Sequence, residues 1–144
     1  MTAKNINSLL YRMVDANYNR AKEALRVTED IFRFCWKDKS LTAKAKRLRH
    51  ALSSPLKNKP LLKKLHLARD SKKDIGRNVD RLELKRKDLT DILYANIQRA
   101  KESVRVLEES FKIIDKKSVY RFKSLRYNLY SFEKELSFRR FSKN

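Results

Sequence analysis

A chain of 144 residues with 41% hydrophobic side chains carries enough apolar surface for one packed core, which excludes a disordered polypeptide. One glycine and two prolines leave almost no punctuation for hairpins, so an all-β fold is excluded and long helices are expected. An excess of 37 Lys and Arg over 17 Asp and Glu, a formal charge of +20, sets up a field attractive to phosphate esters, nucleic acid and acidic membranes alike.

Apolar residues recur at helical spacing from about Ile6 to Trp36 and predict a first long helix. Cys35, inside Phe32-Arg33-Phe34-Cys35-Trp36, is the only cysteine; no disulfide or cysteine-based zinc site can form within the chain, and a small buried thiol is expected. Ser40-Leu41-Thr42 offers hydroxyl N-caps for a second helix to about Leu52, which Ser53-Ser54-Pro55 ends. Pro60 to Leu67 fits a short amphipathic helix, and the stretch from Arg69 to Gly76 fits a turn. Val79 to Arg86 suits either a loop or a further helical turn. Asp88 or Asp91 can start a helix to about Ile114; Asp115 to Lys117 turns the chain, and Ser118 opens a last helix ending near Phe138. Residues 139–144 are expected to fray as a basic tail. His50 and His66 stand alone without metal-ligand spacing, and the absence of a signal-like or membrane-length apolar run leads to a cytoplasmic protein as the expectation.

An internal repeat organises these elements. Ala16 to Phe32 and Ala95 to Phe111 share ten identities in seventeen gapless positions, and Lys46, Leu48, Arg49 and Leu52 then match Lys123, Leu125, Arg126 and Leu129. The expected architecture is all-α: a single helical-bundle domain over 1–144, built from two long-helix/short-helix units at about 6–54 and 88–138 and a linker at about 55–87. Short connections imply antiparallel neighbours within each pair.

Both copies carry the same polar triplet. At 3.6 residues per turn, Met13, Val14, Ala21, Ala24, Leu25, Val27, Ile31 and Phe32 share one apolar arc, with Asn17 and Arg20 inside it and Glu23 at its edge. Asn96, Arg99 and Glu102 repeat that pattern. An arginine on a core face needs a partner or a polar cavity. Either an Arg-Glu pair glues helices internally, or both units build a central cavity for an anion, where the planar guanidinium fork suits phosphate. Arg26 and Arg105 lie off the arc's centre, where an ion pair to Glu29 or Glu108 competes with a ligand contact; Arg49 and Arg126 either close the cavity or snorkel over core edges. Asp70 and Asp74 beside arginines suit a phosphate-bound Mg²⁺, although spacing alone favours an N-cap at Asp70 and a turn at Asp74-Ile75-Gly76. No Gly-rich Lys-Ser/Thr loop is present, so a nucleotide site has to be built from side chains and helix ends.

The motifs Asp15-Ala-Asn17-x-x-Arg20-Ala-Lys-Glu23-x-x-Arg26-Val-Thr-Glu29-Asp30, Leu48-Arg49-His50, Arg69-Asp70-x-x-x-Asp74-Ile-Gly76 and Asn96-x-x-Arg99-Ala-x-Glu102-x-x-Arg105-Val-Leu-Glu108-Glu109, in this order, resemble the small helical domain often found ahead of thiamine-phosphate synthase. That family is understood to be a dedicated hydroxymethylpyrimidine-phosphate kinase, and the similarity covers roughly residues 6 to 136. The resemblance implies transfer of the ATP γ-phosphoryl group, with Mg²⁺, onto 4-amino-5-hydroxymethyl-2-methylpyrimidine phosphate in thiamine biosynthesis. No synthase barrel follows in this sequence, so the domain is expected either to work alone or to hand its product to a separate thiamine-phosphate synthase. Thr28 stands where the family commonly has a bulkier apolar residue.

Residues and resemblance together place Arg20, Arg99 and Asp70 at the chemistry. Asn17, Glu23, Arg26, Arg49, Arg69, Asn96, Glu102, Arg105 and Arg126 surround substrate and phosphates, with Asp70 and Asp74 as Mg²⁺ ligands. Two other readings compete: a basic helical module that binds nucleic acid, disfavoured because the repeated arginines fall on apolar faces rather than one exposed stripe, and a non-catalytic partner of a thiamine enzyme. Long amphipathic helices leave a homodimer open.

Overall fold

A computed structural model describes residues 3–78 and 84–142, and the side chains of 6–78 and 84–139. The described residues form five α-helices and no strand: α1 (Ala3–Asp30), α2 (Lys39–Ser53), α3 (Lys59–Ala68), α4 (Leu89–Ile114) and α5 (Lys116–Ser142). None of the described helices is long and apolar enough to cross a membrane.

The turns explain where each helix stops. α1 runs into a π-helical turn at Ile31–Cys35, closed by the Trp36 N–H donating to the Ile31 carbonyl at 2.9 Å. Lys37 takes a positive φ of 53°, and the chain reverses as the Asp38 N–H reaches the Phe32 carbonyl at 3.0 Å. Asp38 then caps α2, its Oδ1 accepting from the Leu41 N–H at 2.9 Å. The cap therefore precedes the expected Ser40 and Thr42, and the Thr42 hydroxyl donates back to the Asp38 carbonyl at 2.7 Å. Asn58 and Asp88 cap α3 and α4 in the same way. At the α4–α5 corner the Ser118 hydroxyl donates to Asp115 at 2.7 Å.

Side-chain bonds between helices fix the directions. Glu29 with Arg49 and Tyr18 with Ser53 make α1 and α2 antiparallel. Asp38 with Arg139, Lys44 with Glu135 and Ser54 with Arg121 do the same for α2 and α5. Glu108 with Arg126, Lys101 with Glu133 and Tyr94 with Ser137 do so for α4 and α5. The result is a four-helix bundle in cyclic order α1, α2, α5, α4, in which α1 and α4 also run antiparallel; α3 packs on α1.

The core lies between these helices in two clusters. One joins Val14, Ala21, Ala24 and Leu25 to Ala100, Val104, Leu107 and Phe111, with Leu52, Leu56, Leu65, Phe122, Leu125 and Leu129 around them. The other gathers Ile31, Phe32, Leu41, Ala45, Leu93, Ile97, Phe132 and Leu136, with Phe32 and Phe132 edge-on at 5.8 Å. Each fully buried Leu or Phe contributes about 2 kcal/mol. Thr28 is fully buried, and its hydroxyl donates to the Ala24 carbonyl at 2.9 Å, so the departure from a bulkier residue is satisfied within the helix.

Several expectations are corrected. Met13 is 48% and Val27 37% exposed, so the arc of α1 that packs is narrower than the projected one. Cys35 is exposed, because at this helix end the core side is taken by Ile31 and Phe32. Arg139 belongs to α5 and bonds to Asp38 and Glu135, which ties down the start of the expected tail. Residues 79–83 of the ambiguous segment, and 143–144, lie outside the described residues.

Candidate functional site

An open groove of about 730 Å³ runs along the outer side of α1. The helix contributes Leu9, Arg12, Met13, Asp15, Ala16, Asn17, Asn19, Arg20 and Glu23, and the loop after α3 contributes Arg69, Asp70, Ser71 and Asp74. The loop is fastened to the helix by one pair: Asp15, 5% exposed, accepts from Nε and Nη2 of Arg69, both at 2.7 Å. That fork raises the pKa of the Arg69 guanidinium further, through the hydrogen bonds and charge of Asp15. Arg12 adds a longer contact, its Nη2 donating to the Asp70 carbonyl at 3.4 Å.

The groove differs in charge from the chain as a whole. It holds four carboxylates against three guanidiniums, on a protein with a net charge of +20. Arg69 is spent on Asp15, whereas Arg20 donates to the Asn17 amide oxygen at 3.4 Å and Arg12 to a main-chain carbonyl. The two guanidinium groups at the rim, Arg12 and Arg20, thus donate to neutral oxygens. Asp70 and Asp74 both perform turn duties: Oδ1 of Asp70 accepts from the Lys73 N–H at 3.2 Å, and Oδ1 of Asp74 from the Gly76 N–H at 2.9 Å. Both residues line the groove. No three His, Cys, Asp or Glu side chains converge as a metal cage among the described residues.

Of the expected site residues, Asn17, Arg20, Glu23, Arg69, Asp70 and Asp74 are thus brought together. The rest are not. On α4, Asn96 repeats the local geometry, its Nδ2 donating to the Ile92 carbonyl at 2.8 Å as Asn17 does to Met13. Arg99 is exposed and absent from the lining of the α1 groove. Glu102 accepts from Gln98 at 2.9 Å and lines a separate hollow of about 300 Å³ with Gln98, Lys101, Arg105 and Tyr130. The expected single cavity shared by both triplets is corrected for two reasons. Small apolar residues of α1 and α4 fill the centre where these helices meet, and both arginines stay in water, where the desolvation cost of burial is avoided.

Arg26, Arg49, Arg105 and Arg126 surround two buried carboxylates and are absent from the lining of the α1 groove. Glu29, 4% exposed, accepts from Arg49 at 2.9 Å and pairs with Arg26 at 3.7 Å. Glu108, 3% exposed, accepts from Arg126 at 2.7 Å and pairs with Arg105 at 3.3 Å. Burial pushes the Glu108 carboxyl up, but the Arg126 hydrogen bond and the charges of Arg126 and Arg105 outweigh it and hold the group below the usual carboxylate range. Arg126 is raised correspondingly by Glu108 and the Tyr130 hydroxyl. Arg49 and Arg126 bridge helices, whereas Arg26 and Arg105 pair within their own helix.

Asp15, Arg12, Leu9 and Ala16 were not among the expected site residues. Asp15 and Arg69 are 54 positions apart, and no local spacing signals their pairing. The signal for the apolar wall was Leu9 and Met13, large apolar residues of α1 that its packing face leaves exposed.

A family model described as the ThiD2 family matches residues 12–135. The thiamine-phosphate synthase of Synechocystis sp. (strain ATCC 27184 / PCC 6803 / Kazusa) is 37% identical over 126 residues, covering 87% of this chain and 35% of the relative. That of Nostoc punctiforme is 34% identical over 134 residues, 92% of this chain and 37% of the relative. That of Rhodopirellula baltica is 35% identical over 126 residues, 87% and 33%. The chain therefore spans about a third of the length of these relatives. No solved structure matches it.

Proposed function

The chain belongs to the ThiD2 family, and from that premise we propose that it acts in thiamine biosynthesis as an ATP-dependent kinase that converts 4-amino-5-hydroxymethyl-2-methylpyrimidine phosphate to the diphosphate. The observation that carries the reading is the α1 groove, where an apolar wall, rim guanidiniums and carboxylates line one hollow. Leu9, Met13 and Ala16 offer a flat ring its apolar contact. Arg12 and Arg20 are the groups open to phosphate oxygens.

The reaction makes modest demands on proton transfer. An acceptor phosphate oxygen is already anionic near neutral pH; it attacks the γ-phosphorus, a new P–O bond forms, and the bond to the ADP oxygen breaks. Positioning and charge neutralisation remain to be supplied. Two polyanions brought into a groove with more carboxylates than guanidiniums repel it unless a divalent cation enters with them. Asp70 and Asp74 fit that cation: Mg²⁺ takes one or two carboxylates and completes its shell with phosphate oxygens and water, so no protein-only cage is required. When bound, Mg²⁺ would neutralise charge on the phosphates; Asp15 and Arg69 hold the loop that carries the two aspartates in place.

The test follows the phosphorus. Protein, pyrimidine monophosphate, ATP and Mg²⁺ are expected to give the diphosphate and ADP in equal amounts by ³¹P NMR. Arg20→Ala should lower kcat by roughly 10²–10³, whereas Arg99→Ala should cost less than about tenfold because it is absent from the groove lining. No diphosphate from the parent protein ends the kinase reading, and equal loss in both variants returns the site to a cavity shared by both halves.

A further inference from the structure

The positive charge that the groove lacks is gathered elsewhere. Between Asp38 and Asp70, 31 residues carry ten Lys and Arg and no Asp or Glu; between Asp115 and Glu133, 17 residues carry five and none. These stretches form α2, α3 and most of α5, and α2 lies antiparallel against α5. Their seam is open to solvent. A hollow of about 390 Å³ follows it, with Lys44, Arg47, Asn128 and Ser131 in its lining. Arg121 continues the row, donating to the Ser54 hydroxyl at 3.4 Å, and Lys117 lies one turn earlier on α5. The carboxylate in this hollow, Glu135, is already taken by Lys44 and Arg139. Cations other than the repeated arginines thus form a stripe.

From this arrangement we infer that the α2–α5 seam binds single-stranded nucleic acid. Phosphodiesters suit a row of exposed cations interleaved with Asn and Ser donors. Tyr120 and Tyr127, 76% and 56% exposed, lie seven residues apart beside the row and present rings on which unpaired bases stack. A lipid surface calls for a protruding apolar wedge, and the large apolar side chains of the seam, Leu48 and Phe132, are half-buried and buried. This surface is separate from the α1 groove, and the inference does not rest on the kinase reading.

Fluorescence anisotropy of the full chain with a labelled 20-residue oligodeoxythymidylate at 50 and 200 mM salt tests it. Arg47→Gln/Lys117→Gln/Arg121→Gln removes three phosphate contacts, worth about 2 in the slope of log K against log salt for a single strand. The fourfold rise in salt should then cost the parent about 20-fold more affinity than the variant. Tyr120→Ala/Tyr127→Ala should weaken binding without moving the slope. The charge-matched variant Arg33→Gln/Arg77→Gln/Lys112→Gln should keep the parent slope; a slope equal to the seam variant's overturns the proposal. So does equal affinity for polyglutamate or for vesicles of anionic phospholipid.

Discussion

Replacing Arg126 by methionine isolates what a buried carboxylate is worth in this bundle. Glu108 is 3% exposed and receives Arg126 through two bonds, at 2.7 and 3.4 Å, while Arg105 at 3.3 Å is half in solvent. Breaking a buried pair by removing one partner costs roughly 3–5 kcal/mol. Arg105 remains and recovers up to about 1 kcal/mol, as solvent-exposed pairs do. A net loss of about 3 kcal/mol follows, or roughly 9 °C in Tm for a domain of this size. Arg49→Met should lose slightly more, because the reserve arginine on that side, Arg26, stands at 3.7 Å. Adding Glu108→Gln to Arg126→Met removes the stranded charge and should restore at least half of the loss. Urea and thermal unfolding followed by circular dichroism measure five proteins: the parent, Arg126→Met, Arg49→Met, Glu108→Gln and the double variant. Single variants within about 1 kcal/mol of the parent, or a double variant worse than the sum of its singles, would refute the reasoning.

Two further outcomes follow from the same geometry. Glu108 and Glu135 both sit below the usual carboxylate range, Glu135 chiefly through its hydrogen bond from Lys44, so their contribution is present above the unfolded-state pKa and lost as pH falls through the folded one; Tm measured from pH 7 to pH 3 should drop less steeply in Glu108→Gln than in the parent. Asp15→Asn removes the charge that holds Arg69, so KM for the pyrimidine phosphate should rise more than kcat falls, and amide exchange over residues 69–76 should accelerate while α4 and α5 keep their protection.

The helices were legible because their signals are local. Hydrophobic spacing gave five helical segments, and Asp88 was among the caps identified from side-chain type. Asp38 was overlooked because a hydroxyl-rich Ser-Leu-Thr follows it and competes for the same assignment. Half of the site was legible for the same reason: Asn17, Arg20 and Glu23 share one helix, and Asp70 and Asp74 one turn. What joins these pieces is the non-local Asp15–Arg69 pair. The error in burial had a different origin. A helical projection shows which residues share a direction; it does not show how wide a face the neighbours cover, and on α1 the covered face excludes Met13, Val27 and Arg20.

That limit also explains why the repeat suggested two equivalent half-sites. At matching positions α1 and α4 carry the same Asn, Arg and Glu, and the buried carboxylates Glu29 and Glu108 are held in the same manner. The groove, however, depends on what lies over the helix. The loop after α3 covers α1 and is bound by Asp15, while the position matching Asp15 on α4 is Tyr94, whose hydroxyl faces Ser137 at 3.4 Å. A phenol there cannot hold a guanidinium as a carboxylate does. Identical triplets thus acquire different surroundings from one substitution and one connecting segment, and the half that keeps the aspartate is the half on which phosphate chemistry is proposed.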